Sequence, residues 1–307
     1  MKILLTGASG MVGSNIIDHA SYINLNVLTP TSEELNLLNS ANVIDYINKN
    51  KPDMVIHAAG FVGGIQSNIN QPVNFLVNNV QMGINILMAA KNHGIKNFIN
   101  LGSSCMYPRN AQNPLSEGLI LQGELEPTNE GYAIAKVAIT RLCEYINRED
   151  KSFLYKTVIP CNLYGKYDKF DIQYSHMIPA VIKKISDAKN TNKPSVEIWG
   201  DGLAKREFMY AGDFANFIYY SIENFEKMPQ NINVGLGHDY TINEYYQIIA
   251  EVIGYKGEFT HQLSKPSGMK QKLIDINNLS KFGWHHQISL KQGIKSTYDY
   301  YLSIQAL

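Results

Sequence analysis

The stretch that decides the fold is Lys2-Ile3-Leu4-Leu5-Thr6-Gly7-Ala8-Ser9-Gly10-Met11-Val12-Gly13, at the start of the sequence. It begins with a short apolar run, which predicts a buried strand, and continues with glycines, which predict a tight turn into a helix. Glycines at positions 7, 10 and 13 let backbone N–H groups approach a phosphate at the positive end of that helix. A purely structural turn would use the same residues, and the G-x-x-G-x-x-G spacing differs from the more frequent G-x-G-x-x-G. Because the loop directly follows the first buried strand, we predict that it binds a dinucleotide.

Apolar runs alternate with amphipathic segments through the first half of the chain, which predicts a parallel sheet covered by helices on both faces. We therefore expect an α/β fold, a doubly wound parallel Rossmann sheet with a smaller carboxy-terminal α/β substrate domain. The predicted strands fall at residues 2–6, 26–28, 54–58, 98–101, 157–160 and 231–235. The predicted helices fall at residues 12–22, 74–93, 132–148 and 242–254, and residues 188–195 are predicted to form a loop.

Residues 1–165 are predicted to form an NAD(P)-binding Rossmann domain, to which a segment near residues 205–240 returns. Residues 166–307 are predicted to form mainly the substrate-binding domain, because the strand–helix rhythm changes after about residue 165. In open parallel sheets, ligands bind at the carboxyl ends of the strands. The loops after the predicted strands are therefore the places to look for functional residues.

The composition excludes several classes of protein. Lys and Arg together number 27, and so do Asp and Glu, so the formal net charge is zero and there is no overall basic field for nucleic acid or a membrane surface. The 3 cysteines are widely spaced and odd in number, which indicates neither a disulfide framework nor a metal site and fits a reducing compartment. The sequence has neither a signal-peptide pattern nor the ~20 consecutive apolar residues of a membrane-spanning helix. We expect a cytoplasmic protein without nucleic-acid, membrane or metal partners.

Tyr132 and Lys136 are four residues apart, which places them on one face of the predicted helix. An ammonium group beside a phenol favours the phenolate, so this spacing predicts a tyrosine whose pKa is brought down from about 10 toward neutrality. Ser103 and Ser104 follow the predicted strand at residues 98–101, where a hydroxyl group can donate to a substrate carbonyl oxygen. With 19 tyrosines in the chain, the Y-x-x-x-K spacing alone also occurs by chance.

The glycine loop, the two serines and the tyrosine–lysine pair together resemble the extended short-chain dehydrogenase/reductase superfamily. Within it, five further stretches are similar to the GDP-L-fucose synthase family, whose members are bifunctional 3,5-epimerase-4-reductases. These stretches fall at residues 58–65, 101–108, 162–165, 175–180 and 199–208. They keep the order and nearly the spacing of that family, and the resemblance runs from residue 1 to about residue 301.

This resemblance implies NADPH-dependent conversion of GDP-4-keto-6-deoxy-D-mannose to GDP-L-fucose, or the same chemistry on a close GDP-4-keto sugar. Cys105 and His176 match the family's base and acid for inversion at carbons 3 and 5. Ser103 and Tyr132 stabilise the enolate oxygen that these proton exchanges produce. Tyr132 then supplies a proton as hydride reaches carbon 4, and Lys136 holds the nicotinamide ribose.

The resemblance also implies a homodimer and two sets of binding residues. The homodimer would form when the helix at residues 74–93 and the helix that starts at Tyr132 pair across a two-fold axis. The cofactor set is Gly7, Ser9, Gly10, Met11, Val12, Gly13, Ala58, Ala59, Leu101, Gly102, Ser104, Lys136, Pro160, Asn162, Leu163 and His176. The substrate set, for a GDP-sugar, is Lys184, Trp199, Arg206 and Lys272.

Several of these candidates have a purely structural alternative. Cys105, which we expect in an exposed turn, has the alternative of a small core residue. His176 has the alternative of a cap on the helix that follows it, and Arg206 that of an ion pair with Glu207 or Asp213. Surface positions without a role are the alternative for Lys184 and Lys272. Three further histidines are predicted to be structural. His57 is expected to be a hydrogen-bonded interior residue, and His285 and His286 are expected at the surface.

The sequence departs from the family pattern at four places. Ser9 stands where the family commonly has an Arg. The family has a second Arg after the second strand, where this sequence offers only Thr31 and Ser32. Those arginines grip the extra phosphate of NADP, so NADP is preferred by resemblance and NAD is not excluded. Lys184 replaces an Arg and Ser267 replaces an Asp near the nucleotide, which bears on substrate identity and not on the reacting carbons.

Three other functions fit parts of the pattern. A C4 reductase of another GDP-4-keto sugar, such as a heptose, would need no epimerase activity. A 4,6-dehydratase would need an acidic residue soon after Ser103, where this chain has Cys105 and Met106. A non-catalytic NAD(P)-binding scaffold usually lacks the tyrosine or the lysine, and this chain keeps both.

Overall fold

A computed structural model describes residues 1–19, 25–171, 175–264 and 269–306. Ser267 and the end of the helix predicted at residues 12–22 lie outside these described residues. The strands are β1 Lys2–Thr6, β2 Asn26–Leu28, β3 Met54–His57, β4 Asn97–Leu101, β5 Leu154–Pro160, β6 Asn162–Tyr164, β7 Ser195–Trp199, β8 Lys205–Arg206, β9 Phe208–Tyr210, β10 Asn231–Val234, β11 Tyr240–Thr241, β12 Glu258–Gln262 and β13 Gln271–Lys272. The helices are α1 Met11–Asp18, α2 Ser40–Asn50, α3 Ile65–Asn70, α4 Pro72–Asn92, α5 Glu130–Glu149, α6 Met177–Asn190, α7 Ala211–Glu223, α8 Ile242–Ile253, α9 Asn277–Phe282 and α10 Leu290–Gln305.

The central sheet has six strands in the order β10-β5-β4-β3-β1-β2, and every neighbouring pair is parallel. Ile3 and Leu5 of β1 pack into a core that includes side chains of α1 and α7, whereas Leu4 packs into a second core with α2, α4 and α5. Successive side chains of a strand point to opposite faces, so both faces of the sheet are covered by helices. The predicted doubly wound parallel fold is confirmed.

The predicted strands of the central sheet are found, with small differences at their ends. Helix α4 begins at Pro72, earlier than predicted, because the fixed φ and missing N–H of proline suit the first turn of a helix. The loop predicted at residues 188–195 is wrong at both ends, since α6 continues to Asn190 and β7 begins at Ser195. Ala188 belongs to the buried face of α6 together with Ile185, and this packing outweighs the polar local composition.

The later elements build smaller sheets around a separate core. Strand β7 pairs with β12, strand β6 with β9, and β11, β8 and β13 form a three-stranded sheet. This core contains buried side chains of α6 and α8, such as Ile182 and Ile249. Strand β10 returns to the central sheet beside β5. The division into two domains near residue 165 stays a prediction. None of the helices in the described parts of the chain is long and apolar enough to cross a membrane.

Candidate active site

The glycine loop joins β1 to α1 at the carboxyl edge of the sheet. Gly7 has a φ of +74°, and a Cβ atom added there would lie 2.5 Å from the backbone nitrogen of Ala59. A Cβ atom on Gly13 would lie 2.2 Å from the carbonyl oxygen of Gly7, so the first turn of α1 packs against the loop without room for a side chain. Gly10 occupies the N-cap of α1 and offers no side chain to the free N–H groups of the first turn. These groups therefore remain open to an anion, and the loop fits a dinucleotide diphosphate.

His57 is the last residue of β3, and it links this strand to the end of β1, which precedes the glycine loop. Its Nδ1 atom lies 2.8 Å from the Oγ1 atom of Thr6, and both side chains are buried. Burial lowers the pKa of His57 to about 3, so the ring is neutral at physiological pH. The backbone N–H of Ala59 also donates to Thr6 Oγ1, at 3.4 Å. His57 is thus the hydrogen-bonded interior histidine that the sequence predicts.

A substitution at Gly13 tests the fit of the loop. We expect Gly13→Ala to raise the Kd for NADPH by about 5- to 150-fold, because overpacking of this kind costs about 1–3 kcal/mol. The added Cβ would lie 2.2 Å from the carbonyl oxygen of Gly7, so this carbonyl group would have to move. Quenching of protein fluorescence by NADPH measures the Kd, with Gly118→Ala as a comparison, since a Cβ there meets no atom within 4 Å and the backbone is not in the left-handed region. An unchanged Kd in the Gly13 variant would remove this loop from the cofactor site.

Ser103 begins a 3-10 turn, Ser104–Met106, directly after β4. Its Oγ atom accepts a hydrogen bond from the backbone N–H of Cys105 at 3.3 Å. Cys105 is only 4% exposed, so the expectation of an exposed turn is wrong. The turn packs against α5, the helix that carries Tyr132. Burial raises the pKa of the Cys105 thiol, and the neighbouring ammonium group of Lys272 opposes that rise.

Lys136 does not lower the pKa of Tyr132 in this structure, contrary to the prediction from their spacing. The Nζ atom of Lys136 donates to the carbonyl oxygen of Leu101 at 2.7 Å and lies 5.6 Å from the centre of the Tyr132 ring. Burial raises the pKa of Tyr132 well above its usual value, and the nearby Cys105 adds to the rise. The phenol therefore keeps its proton at neutral pH and is a hydrogen-bond donor.

The charge on Lys136 leads to a pH prediction. Burial lowers the pKa of Lys136 to about 8, so the ammonium form that donates to Leu101 is lost as the pH rises through that value. We expect kcat/KM to fall above about pH 8 with a single ionisation. Lys136→Arg keeps a positive charge throughout this range and should move the alkaline limb to higher pH, whatever its effect on the maximum rate. An unmoved limb would assign the ionisation to another group.

A cavity of about 110 Å³ lies at this edge of the sheet. It brings together three residues that the sequence places far apart, Ser103, Tyr132 and His176, and it also includes residues that the sequence motifs did not select. Its walls are formed by Val62, Gly63, Asn68, Phe75, Ser103, Tyr132, Cys161, Asn162, Leu163 and His176. The position of Cys161 just after β5, at a carboxyl end, was the signal that could have identified it.

His176 is the N-cap residue of α6, but its side chain makes no capping hydrogen bond. The structural alternative of a helix cap is therefore wrong for its imidazole. Burial lowers the pKa of His176, and the positive charge of Lys272 lowers it further, so the ring is largely neutral at neutral pH. Lys272 thus acts electrostatically on both His176 and the Cys105 thiol.

Three of the four candidate substrate residues lie on the smaller sheets, and the fourth, Lys184, lies on α6. Lys272 of β13 pairs in register with Arg206 of β8, and Trp199 ends β7 with 45% of its surface exposed. The Nζ atom of Lys184 donates to the backbone carbonyl of Glu197, on the same strand as Trp199. Lys184 therefore supports β7 and is not a free surface lysine.

Arg206 is not paired with Glu207 or Asp213, and the carboxylates whose charge acts on it are those of Glu126 and Asp239. Glu207 accepts from the N–H groups of Leu236, Gly237 and Ile274 at 2.5, 2.9 and 3.0 Å. Asp213 accepts from the N–H groups at residues 287 and 288. Burial raises the pKa of Glu207 to about 7 in spite of its three donors. Its backbone carbonyl also accepts from the side-chain amide of Asn162, a residue of the cavity wall.

The parallel sheet, the glycine loop and the arrangement of Ser103, Tyr132 and Lys136 define the class of Rossmann-fold, dinucleotide-dependent short-chain dehydrogenases and reductases. A family model described as the NAD dependent epimerase/dehydratase family matches residues 3–235. The chain belongs to this family.

Its relatives narrow the comparison to enzymes of GDP-linked sugars. The chain is 61% identical over 303 residues to GDP-L-colitose synthase of Yersinia pseudotuberculosis, covering 99% of this chain and 98% of the relative. It is 48% identical over 302 residues to GDP-L-fucose synthase of Azorhizobium caulinodans, covering 98% and 96%. The solved GDP-mannoheptose C4 reductase of Campylobacter jejuni with NADP bound superposes with a TM-score of 0.87, at 30% identity and 98% coverage of both chains. The resemblance drawn from the sequence motifs is confirmed.

Proposed function

We propose that the protein is an NADPH-dependent 3,5-epimerase-4-reductase that acts on a GDP-linked 4-keto-6-deoxy sugar. The observation that carries this proposal is the cavity shared by Ser103, Tyr132 and His176, with the Cys105 thiol buried in the turn that follows Ser103. The names of the two relatives at 61% and 48% identity support a GDP-sugar product. The NADP in the heptose reductase structure supports NADPH as the cofactor.

The residues divide the chemistry between two proton exchanges and one reduction. A ketone at carbon 4 acidifies the protons at carbons 3 and 5. Cys105 removes them in its minor thiolate form, and His176 replaces them from the opposite face in its minor imidazolium form. Ser103 and Tyr132 donate to the oxygen at carbon 4, where negative charge develops. The nicotinamide cofactor supplies the hydride that reduces carbon 4. Tyr132 holds its proton at neutral pH and delivers it to that oxygen.

Two substrates satisfy this proposal. GDP-4-keto-6-deoxymannose would lead to GDP-L-fucose, and its 3-deoxy analogue would lead to GDP-L-colitose, because colitose is fucose without the hydroxyl group at carbon 3. The higher identity to the colitose enzyme, 61% against 48%, favours the 3-deoxy substrate as a second candidate. With that substrate only carbon 5 is a stereocentre to invert.

Solvent exchange tests the proposal directly. Each 4-keto sugar is incubated with the protein and NADPH in deuterated water, and the product is examined by NMR. Deuterium at carbon 5, and at carbon 3 where the substrate has a hydroxyl group there, is the expected result. Reduction without deuterium would leave a C4 reductase, which is the activity named for the Campylobacter jejuni structure. Absence of NADPH oxidation with both sugars would reject the enzyme function.

The proposal extends to a cytoplasmic homodimer. Apolar side chains are exposed on α4 and α5, the helices that the family resemblance pairs across a two-fold axis. They are Val73, Val77, Ile84 and Ile134, with exposures of 69, 49, 42 and 42%. Light scattering after gel filtration should give twice the chain mass, and charged substitutions at Val73 and Val77 should reduce it to that of one chain. A reducing compartment suits the three free thiols.

A further inference from the structure

Asn68 lies on the short helix α3 and forms part of the wall of the cavity that contains Ser103 and Tyr132. Only 7% of its surface is exposed. No element of the proposed mechanism uses it, since the proton-transfer groups come from the ends of β4, from α5 and from the start of α6. A buried polar side chain in the wall of this cavity needs a hydrogen-bonding role.

The orientation of the Asn68 carboxamide is fixed by two hydrogen bonds. Its Nδ2 atom donates to the carbonyl oxygen of Gly63 at 2.9 Å and to that of Gly64 at 3.0 Å. The flipped amide would place Oδ1 against both carbonyl oxygens, which repel it, so the nitrogen and oxygen positions are determined by these partners. Gly63 belongs to the same cavity wall, and the amide is therefore anchored at its nitrogen end.

The oxygen of this amide is left without a protein partner. Oδ1 of Asn68 is buried and accepts no hydrogen bond from the residues that the structure describes. Such atoms are few in folded proteins, and one that belongs to the wall of a cavity can have its bonding completed by a bound ligand. An acceptor can be completed only by a donor, so the ketone oxygen at carbon 4 is excluded as its partner.

Resting on the function proposed above, we infer that Asn68 is a specificity-determining residue whose Oδ1 accepts a hydrogen bond from a hydroxyl group of the sugar ring. In a GDP-linked 4-keto-6-deoxyhexose, carbon 1 carries the diphosphate, carbon 4 the ketone, carbon 5 the ring oxygen and carbon 6 no oxygen. The hydroxyl groups at carbons 2 and 3 are then the only ring donors. The 3-deoxy sugar keeps only the one at carbon 2.

A cycle of substrate and residue changes tests this inference. The parent GDP-4-keto-6-deoxymannose and its 2-deoxy and 3-deoxy analogues are given to the wild-type protein and to Asn68→Ala, with NADPH oxidation as the readout. For one analogue we expect kcat/KM of the wild type to fall by tenfold or more, because a site built to bind a hydroxyl group discriminates against its loss. Asn68→Ala should bring the parent and that analogue to within about twofold of each other, since neither then has the bond.

The cycle separates a substrate contact from a structural role. Loss of the Gly63 and Gly64 hydrogen bonds in Asn68→Ala lowers kcat/KM for all three substrates by one common factor, and a result limited to that common factor overturns the inference. Asn70→Ala is the matched control on the same helix, because Asn70 is exposed and pairs only with Gln66 among the described side chains. It should leave all three values within about twofold of the wild type.

Two further results have defined meanings. If circular dichroism shows that Asn68→Ala is unfolded, Asn68→Gln replaces it in the cycle, since Gln keeps the amide and moves its oxygen by one methylene group. If Asn68→Gln lowers kcat/KM for all three sugars by the same factor, the inference is again overturned. A wild type that turns over none of the three sugars rejects the proposed function and this inference with it, whereas an active wild type without discrimination rejects only the inference.

Discussion

Replacing Tyr132 by Phe should lower kcat for reduction by about 10²- to 10⁴-fold, while the fold and NADPH binding are kept. The change removes only a hydroxyl group. The ring packs edge-on against Phe75 with 6.3 Å between centres, and phenylalanine keeps that contact. Because burial holds the pKa of Tyr132 above its usual value, its hydroxyl group carries the proton that the reduced carbon 4 oxygen needs. Stopped-flow measurement of NADPH oxidation at saturating substrate gives the rate.

The control for this substitution lies on the same helix. Tyr145 is 46% exposed and stacks on Arg148, away from the cavity, so Tyr145→Phe should keep kcat within about twofold. A Tyr132→Phe protein that binds NADPH normally and still reduces at more than a tenth of the wild-type rate would mean that another donor protonates the oxygen. Ser103 is the group in the same cavity that would then take that role.

The fold was predictable because its determinants are local. The strand at residues 2–6 and the glycines after it carry their signal in consecutive residues, and the alternation of Ile3, Leu4 and Leu5 between two cores follows from strand geometry alone. The loop predicted at residues 188–195 failed for the opposite reason. Its polar residues were outweighed by burial of Ala188 on the inner face of α6, a tertiary contact that local composition does not report.

The site was predictable in its residues and less so in its electrostatics. The motifs selected Ser103, Tyr132 and His176, which the structure brings together in one cavity. The position of Ser103 was predictable, because the loops after parallel strands share the carboxyl edge of the sheet. The partner of Lys136 was missed because Leu101 is 35 residues away in the chain. The motif spacing predicted that the ammonium group of Lys136 lies beside the phenol of Tyr132. In the structure this ammonium group donates instead to the backbone carbonyl of Leu101 at the end of β4. Asn68 and Phe75 of the cavity wall were missed as well, since they lie on α3 and α4, beyond the motif at residues 58–65.

Replacing Cys105 by Ser should suppress proton exchange at carbons 3 and 5 by about 10²- to 10⁴-fold, because a serine hydroxyl group is a far weaker acid than a thiol and yields no anionic base near neutral pH. Burial raises the pKa of the Cys105 thiol, so the thiolate is a minor form at neutral pH. Where removal of the proton by the thiolate limits exchange, its rate in the wild type should therefore increase as the pH rises above 7. Deuterium incorporation from solvent, followed by NMR without NADPH turnover, measures this rate.

Reduction itself should survive this substitution. When the 4-keto sugar is supplied already inverted at carbons 3 and 5, Cys105→Ser should reduce it within about threefold of the wild-type rate, because Ser103, Tyr132 and the cofactor loop are untouched. Cys161 is the competing thiol, since both cysteines are buried and Cys161 is the one that forms part of the cavity wall. Exchange that persists in Cys105→Ser and disappears in Cys161→Ser would transfer the base to Cys161. Loss of reduction together with exchange would instead show that the side chain of Cys105 supports the turn that begins at Ser103.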